Sequence, residues 1–116
     1  MKVLLIKPCQ RPIIKEIDAS LESMQGLVGG TIQAIYPFKD TVALICNDDG
    51  WLLGLPPNRM LFDPDSGELC DVIAGNFFLC SAPPDNENFE SLTDEQTKRY
   101  TQRFQRIEFF LGGAPW

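Results

Sequence analysis

Short apolar runs bounded by turn-forming residues recur along the first half of the chain. Residues 2–7 and 13–17 are separated by a loop with two prolines, and residues 31–38 form a third run that ends at a proline. Residues 41–46 are the most apolar and are rich in β-branched side chains. Runs this short between turn formers are typical of strands, and a run without polar positions is typical of a strand covered on both faces. The pattern therefore predicts several strands around a central one at 41–46.

Two further runs follow in the second half. Residues 69–73 are predicted to be a brief strand, and residues 77–80, Phe-Phe-Leu-Cys, a second strand covered on both faces. We expect the latter to lie beside residues 41–46 in the core. Together the runs predict an α+β fold with a mixed or antiparallel sheet of five to six short strands.

Helical spacing of apolar residues appears twice. A short helix is predicted near residues 19–28, with Asp18 as its N-cap and two glycines, Gly29 and Gly30, at its end. A longer C-terminal amphipathic helix is predicted at 93–111, starting with a capping box. The capping box consists of Thr93 and Gln96. The apolar face of this helix consists of Tyr100, Phe104, Ile107 and Leu111.

The segment after the central strand predicts a hairpin that ends in an unusual polar corner. Residues 47–50, Asn-Asp-Asp-Gly, have the composition of a tight turn, and residues 51–53 would be the returning strand. Two prolines at 56 and 57 are expected to stop further pairing, because proline donates no N–H and fixes its own φ. Asn58 and Arg59 would then stand on a stiff corner.

Length and charge limit the classes of function. The chain has 116 residues and 44% hydrophobic content, which predicts a single domain over 1–116. Its net charge is −6, and residues 40–95 carry twelve acidic side chains against Arg59 alone. An acidic surface repels phosphates, so direct binding to nucleic acid or to an anionic membrane is not expected. Basic partner proteins are favoured instead.

The residue types present do not indicate catalysis. The chain has no histidine, and its four cysteines have no C-x-x-C spacing, so we expect no zinc site, no other metal or cofactor, and no enzyme activity. The acidic segment at 63–67 lacks the spacing of a calcium loop and is predicted to be a plain turn. No apolar run is long enough to cross a membrane, and the N-terminal segment is too charged for a signal peptide, which predicts a cytoplasmic protein.

Residues 54–59 and five other stretches together resemble a domain family of unknown function whose small proteins are found in bacteria, their phages and their mobile elements. The resemblance covers most of the chain and is most specific at residues 54–59, Gly-Leu-Pro-Pro-Asn-Arg. It implies an accessory protein exchanged with mobile DNA, with an anti-defence role as one hypothesis and a housekeeping gene carried along as the other. The remaining stretches are residues 15–18, 27–32, 43–47, 71–75 and 92–96.

The first functional hypothesis is a module that binds a small anionic, nucleotide-like ligand at the corner between Asn47 and Arg59. Arg59 would hold a phosphate with its planar fork, and Asn58 would contact a base or ribose edge. Trp51 or Tyr36 would stack on the base. In the alternative interpretation Arg59 pairs with an aspartate, Asp48, Asp49 or Asp63, and Trp51 fills the core.

The second hypothesis is an acidic protein-interaction module, or a nucleic-acid mimic that inhibits a host protein. Its carboxylates would imitate an array of phosphates, and binding would weaken steeply with salt. The alternative interpretation is ordinary solubilising charge, because aspartate is common in turns. The candidate residues are Asp48, Asp49, Asp63, Asp65, Glu68 and Asp71.

Overall fold

A computed structural model describes residues 1–110 and has the predicted α+β class. Seven strands form an antiparallel five-stranded sheet and a separate two-stranded sheet, with two helices packed against them. The elements are β1 Lys2–Ile6, β2 Ile13–Glu16, α1 Leu21–Val28, β3 Ile32–Ile35, β4 Val42–Asn47, β5 Pro57–Phe62, β6 Leu69–Ala74, β7 Phe77–Ser81 and α2 Asp94–Phe104.

The two most apolar strands, β4 and β7, lie side by side in the large sheet. Its order is β2-β1-β7-β4-β3, and Leu44 of β4 is paired with Leu79 of β7. Every residue of these two strands is buried, because α1 covers one face of the sheet while α2 and the two-stranded sheet cover the other. The predicted pairing of these runs is confirmed.

The first helix begins two residues later than predicted. The Ser20 hydroxyl, and not Asp18, caps α1 by accepting a hydrogen bond from the Ser23 N–H at 3.1 Å. Asp18 is wrong as the cap because Ala19 and Ser20 still precede the first helical residue. The predicted glycine end is confirmed, since Gly29 has a left-handed φ of 78°.

The second helix has the predicted capping box but ends at Phe104. Residues 105–110 are not helical, and the Glu108 carboxylate accepts the backbone N–H of Met60 in β5 at 3.3 Å. Tertiary contact with β5 therefore replaces the predicted last turns, which places Ile107 outside the helix. Leu111, the last predicted position, lies outside the described residues.

Removing the capping hydroxyl of α2 is expected to destabilise the protein moderately. Thr93 accepts the Gln96 N–H at 3.1 Å, and the Gln96 amide oxygen accepts the Thr93 N–H at 3.0 Å. Thr93→Ala should lower the free energy of unfolding by about 1 kcal/mol in urea denaturation followed by circular dichroism. Thr101→Ala, in the middle of the same helix, is the matched control and should cost nothing; equal losses would contradict the capping role.

The segment predicted as a returning strand at 51–53 is a turn, and the next strand along the chain, β5, starts at Pro57. A proline is tolerated as the first residue of a strand in a sheet's free edge, so the two prolines do not prevent pairing. The β5–β6 register shifts between Pro57 and Arg59, which leaves Asn58 as the extra residue of a β-bulge. Bulges redirect side chains, and here both Asn58 and Arg59 are fully buried.

Candidate functional site

The structure places Arg59 in the interior, which corrects the predicted exposed corner. Its side chain has a relative exposure of 0%, and Nη2 donates to the carbonyl oxygens of Gln10 at 2.7 Å and Phe104 at 3.2 Å. Nη1 donates to the side-chain oxygen of Asn58 at 2.8 Å. Arg59 thus ties β5 to the loop after β1 and to the last residue of α2.

Asn58 is equally buried and completes this link. Its amide nitrogen donates to the carbonyl oxygens of Ile6 at 2.9 Å and Gly75 at 2.8 Å. With its oxygen used by Arg59, the Asn58 side chain has no donor or acceptor turned towards solvent. The arrangement crosslinks the two sheets at the end of β1.

The positive charge of Arg59 is balanced mainly by backbone oxygens. Within residues 1–110 it forms no ion pair, so the predicted partners Asp48, Asp49 and Asp63 are wrong. Burial lowers the pKa of Arg59, while the nearby Glu108 carboxylate raises it. The Nε atom has no hydrogen-bond partner among residues 1–110. The carbonyl ends of a helix carry partial negative charge, which explains why the Phe104 carbonyl suits this cation.

A cleft of about 300 Å³ lies between the two sheets, next to the turn that follows β4. Its walls are β3 and the end of β4 on one side and β6 on the other, and residues 48–52 close it. Neither Asn58 nor Arg59 lines it. The lining residues are Gln33, Ile35, Cys46, Asn47, Asp48, Asp49, Gly50, Trp51, Leu52, Asp71, Val72, Ile73 and Ala74.

The turn beside the cleft is compact and fixed to β6. The Leu53 N–H donates to the Asp49 carbonyl at 2.8 Å, a helical turn rather than the predicted hairpin. The Trp51 indole N–H donates to the Val72 carbonyl at 2.9 Å. Gly50 packs so closely that a Cβ there would be 2.7 Å from the Ala74 carbonyl oxygen, which only glycine avoids. The turn is therefore held in one position.

Asn47 fixes the start of the same turn. Its amide donates to the Val28 carbonyl at the end of α1 at 3.0 Å, and its side-chain oxygen accepts the Asp49 N–H at 2.8 Å. Asn47 is buried, and both its side-chain nitrogen and its side-chain oxygen are bonded to backbone groups.

The cleft is acidic. Asp48, Asp49 and Asp71 are exposed, and none of the three forms an ion pair inside the described part of the chain. Cys46 lies at the floor, and its pKa is raised to about 11, mainly by burial and then by the charges of Asp71 and Asp48. Both carboxylates therefore act on the same small volume.

Apolar side chains project from the acidic turn. Leu52 is 85% exposed, Leu53 is 59% exposed and Trp51 is 46% exposed. Leu52 and Leu53 are not predicted to be surface residues, because the sequence pattern favours a returning strand at 51–53. The available signal was three consecutive large apolar residues directly after two aspartates and a glycine.

The predicted site residues are divided between places in the fold. Asn47 and Trp51 line the cleft with Asp48, Asp49 and Asp71, whereas Tyr36 is exposed at the end of β3 outside the lining. The cleft thus combines residues from both hypothetical sites, but it does not include Arg59, the one predicted site residue with a positive charge.

Three predicted acidic residues lie elsewhere, in the turn between β5 and β6. The Asp63 carboxylate accepts the backbone N–H groups of Ser66 and Asp65, which lowers its pKa. Asp65 pairs with Lys39, and Glu68 ends the turn. These contacts are those of a plain aspartate turn. Across residues 1–110 no group of three or more histidine, cysteine or acidic side chains converges as a metal site.

The fold and cleft define a small α+β domain with an acidic, partly apolar surface. Residues 1–105 match the sequence profile of a domain of unknown function, DUF3846, and the chain belongs to this family. Neither the curated proteins nor the solved structures include a match. No helix within residues 1–110 has the length and hydropathy needed to span a bilayer.

Proposed function

We propose that this protein is a non-enzymatic protein-interaction module. Its binding site would be the acidic turn surface, which we define as Asp48, Asp49, Trp51, Leu52 and Asp71. The ligand would be a segment of a partner protein in which lysine or arginine residues flank a large apolar side chain. The observation that carries the proposal is the 85% exposed Leu52 beside carboxylates that no cation of residues 1–110 pairs with.

Each part of this surface would have its own role in binding. Leu52 and Trp51 would supply the apolar contact that gives most of the affinity at protein interfaces. The three carboxylates would attract the basic residues, raise the association rate and reject acidic partners. Because Trp51 and Gly50 already hold the turn on β6, little conformational entropy would be lost on binding.

A nucleotide-like ligand at the predicted corner is the weaker proposal. Its phosphate would need Arg59, which is buried against carbonyl oxygens, while the accessible charges nearby are all negative. Of the two predicted stacking residues, Trp51 lines the cleft and Tyr36 does not. The geometry therefore favours the acidic interaction module of the two hypotheses.

The setting of this function is part of the proposal. The resemblance to proteins of bacteria, phages and mobile elements supports an accessory role in the bacterial cytoplasm, including inhibition of a host protein in an anti-defence context. A host protein with a basic nucleic-acid-binding groove would present the complementary charge. The turn with Asp63, Asp65 and Glu68 is not part of the proposed site, because Asp63 accepts backbone N–H groups of its own turn and Asp65 pairs with Lys39.

Selection of peptides tests the site without a known partner. A displayed library of random peptides is panned on the immobilised protein at about 50 mM salt, where surface charge is weakly screened. We expect the selected peptides to combine lysine or arginine with leucine or an aromatic residue. Leu52→Ser should weaken their binding about 30-fold, the effect of losing an interface hot spot.

Matched charge variants identify the surface. The double variant Asp48→Asn, Asp49→Asn should weaken binding of the selected peptides and make their affinity less dependent on salt concentration. The double variant Asp65→Asn, Glu68→Gln removes the same charge at the other turn and should leave binding unchanged. Equal losses in both double variants would show a general charge effect and contradict the proposed site. Peptides without basic residues would contradict it as well.

A further inference from the structure

A second groove shares no lining residue with the acidic cleft and contains two arginines. It has a volume of about 350 Å³ and lies between β5 and the end of α2. We define this basic groove by its lining residues, Met60, Phe62, Arg103, Phe104, Arg106 and Glu108. Nothing in the acidic turn surface contributes to it.

Arg103 is oriented for binding by aromatic contacts. Its guanidinium carbon lies 4.9 Å from the centre of the Phe38 ring and 5.8 Å from that of Phe104. Such stacking restrains the side chain without using its N–H donors. Within residues 1–110, Arg103 and Arg106 make no hydrogen bond to a side chain and no ion pair. Their donors are therefore available to an anion.

The groove's own carboxylate is already engaged. Both oxygens of Glu108 lie 3.3 Å from the Met60 backbone nitrogen, and the charge of Glu108 acts on the buried Arg59. The negative end of α2 would oppose an anion, but Arg59 donates to the Phe104 carbonyl there. The charged lining residues are Arg103, Arg106 and Glu108, which together carry a formal charge of +1, although the protein as a whole carries a charge of −6.

Phe62 adds an aromatic side chain to the lining. It lies at the end of β5 and is 41% exposed. A volume of a few hundred Å³ with an aromatic face and a few polar groups is the usual character of a small-molecule site. Arginine forks hold phosphates, and an aromatic face accepts a planar ring.

We infer that the basic groove binds a nucleoside polyphosphate, with the phosphates on Arg103 and Arg106 and the base on Phe62. This goes beyond the proposed interaction function and does not depend on it. The nucleotide site expected from the sequence would thus lie at Arg103, in the last turn of α2, and at Arg106, just after the helix, and not at Arg59.

Calorimetric titration with ATP tests this site at about 50 mM salt, where the arginine charges are little screened. We expect saturable binding of one equivalent, and a loss of about tenfold for Arg106→Gln, the cost of one charge-assisted contact. Lys98→Gln, the same charge change on the outer face of α2, is the control and should bind as the unmodified protein does. Phe62→Leu should weaken binding, and Phe62→Tyr, which keeps the ring, should restore it.

Titration with inorganic tripolyphosphate separates the phosphate from the base. We expect it to bind about tenfold more weakly than ATP, because stacking on one aromatic ring is lost. Equal affinity for the two anions, absence of saturation with ATP, or equal effects of Arg106→Gln and Lys98→Gln would overturn the inference. Melting temperatures of all variants, measured by circular dichroism, show that each is folded during the titration.

Discussion

Arg59→Ala is expected to lower the free energy of unfolding by about 3 kcal/mol or more, because buried groups lose their partners. The change leaves the carbonyls of Gln10 and Phe104 and the side-chain oxygen of Asn58 without their donor. It also opens a cavity where the guanidinium lies. Small domains have about 5–15 kcal/mol of stability, so much of the margin would be lost.

Urea denaturation followed by circular dichroism measures this effect. Arg59→Met fills the cavity but supplies no hydrogen-bond donors. The stability that Arg59→Met loses therefore measures the cost of leaving the three oxygens unpaired, without the cost of a cavity. Lys98→Ala, an exposed cation on α2, is the control and should change stability by less than about 0.5 kcal/mol. An Arg59→Ala protein as stable as the unmodified one would show that the guanidinium is free, and would return it to the candidates for ligand binding.

Phe77→Ala is expected to destabilise the protein by about 3–5 kcal/mol, the usual cost of removing a fully buried phenylalanine ring. Phe77 lies at the start of β7, the middle strand of the large sheet, with a relative exposure of 0%. Its ring meets the ring of Phe104 edge to face at a centroid distance of 5.6 Å. The loss would therefore weaken both the sheet and the seat of α2.

The same denaturation experiment compares Phe77→Ala with Phe109→Ala. Phe109 is 80% exposed, so its truncation should change the free energy of unfolding by less than about 0.5 kcal/mol. A small effect at Phe77 would mean that α2 does not depend on this contact. In that case Phe104 and Arg59 would have to be the main attachments of the helix.

The α+β class and the central strand pair could be predicted because local patterns determine them. Residues 42–46 and 77–80 are apolar at every position, which is typical of strands covered on both faces. The start of α2 was equally readable, since a threonine and a glutamine three residues apart form the capping box. Each signal lies within about ten residues of sequence.

The environment of Arg59 could not be predicted because its partners are remote in the chain. The Gln10 and Phe104 carbonyls are 49 and 45 residues away, and any residue type could supply a backbone oxygen. The bulge at Asn58 is equally hidden, since it depends on the register of β5 against β6. A lone arginine after two prolines therefore suggested an exposed corner.

The candidate site was predicted in pieces for the same reason. Asp48, Asp49 and Trp51 are close in sequence, but Asp71 joins them only because β6 runs alongside the turn. The sequence interpretation assigned Trp51 to an anionic ligand and the aspartates to a protein partner. In the structure Trp51 and the three aspartates line the same cleft and form one surface.

Chemical-shift mapping tests the central claim, that the acidic turn surface is the binding face. A ¹H–¹⁵N spectrum of the protein is recorded while a selected basic peptide is added, and Trp51→Phe assigns the Trp51 indole signal. If the acidic turn surface is the binding face, this indole signal and the amide signals of residues 47–53 and 71–74 shift together and saturate as peptide is added. Shifts concentrated at residues 63–68 or around Arg103 and Arg106, with an unmoved Trp51 indole, would contradict it.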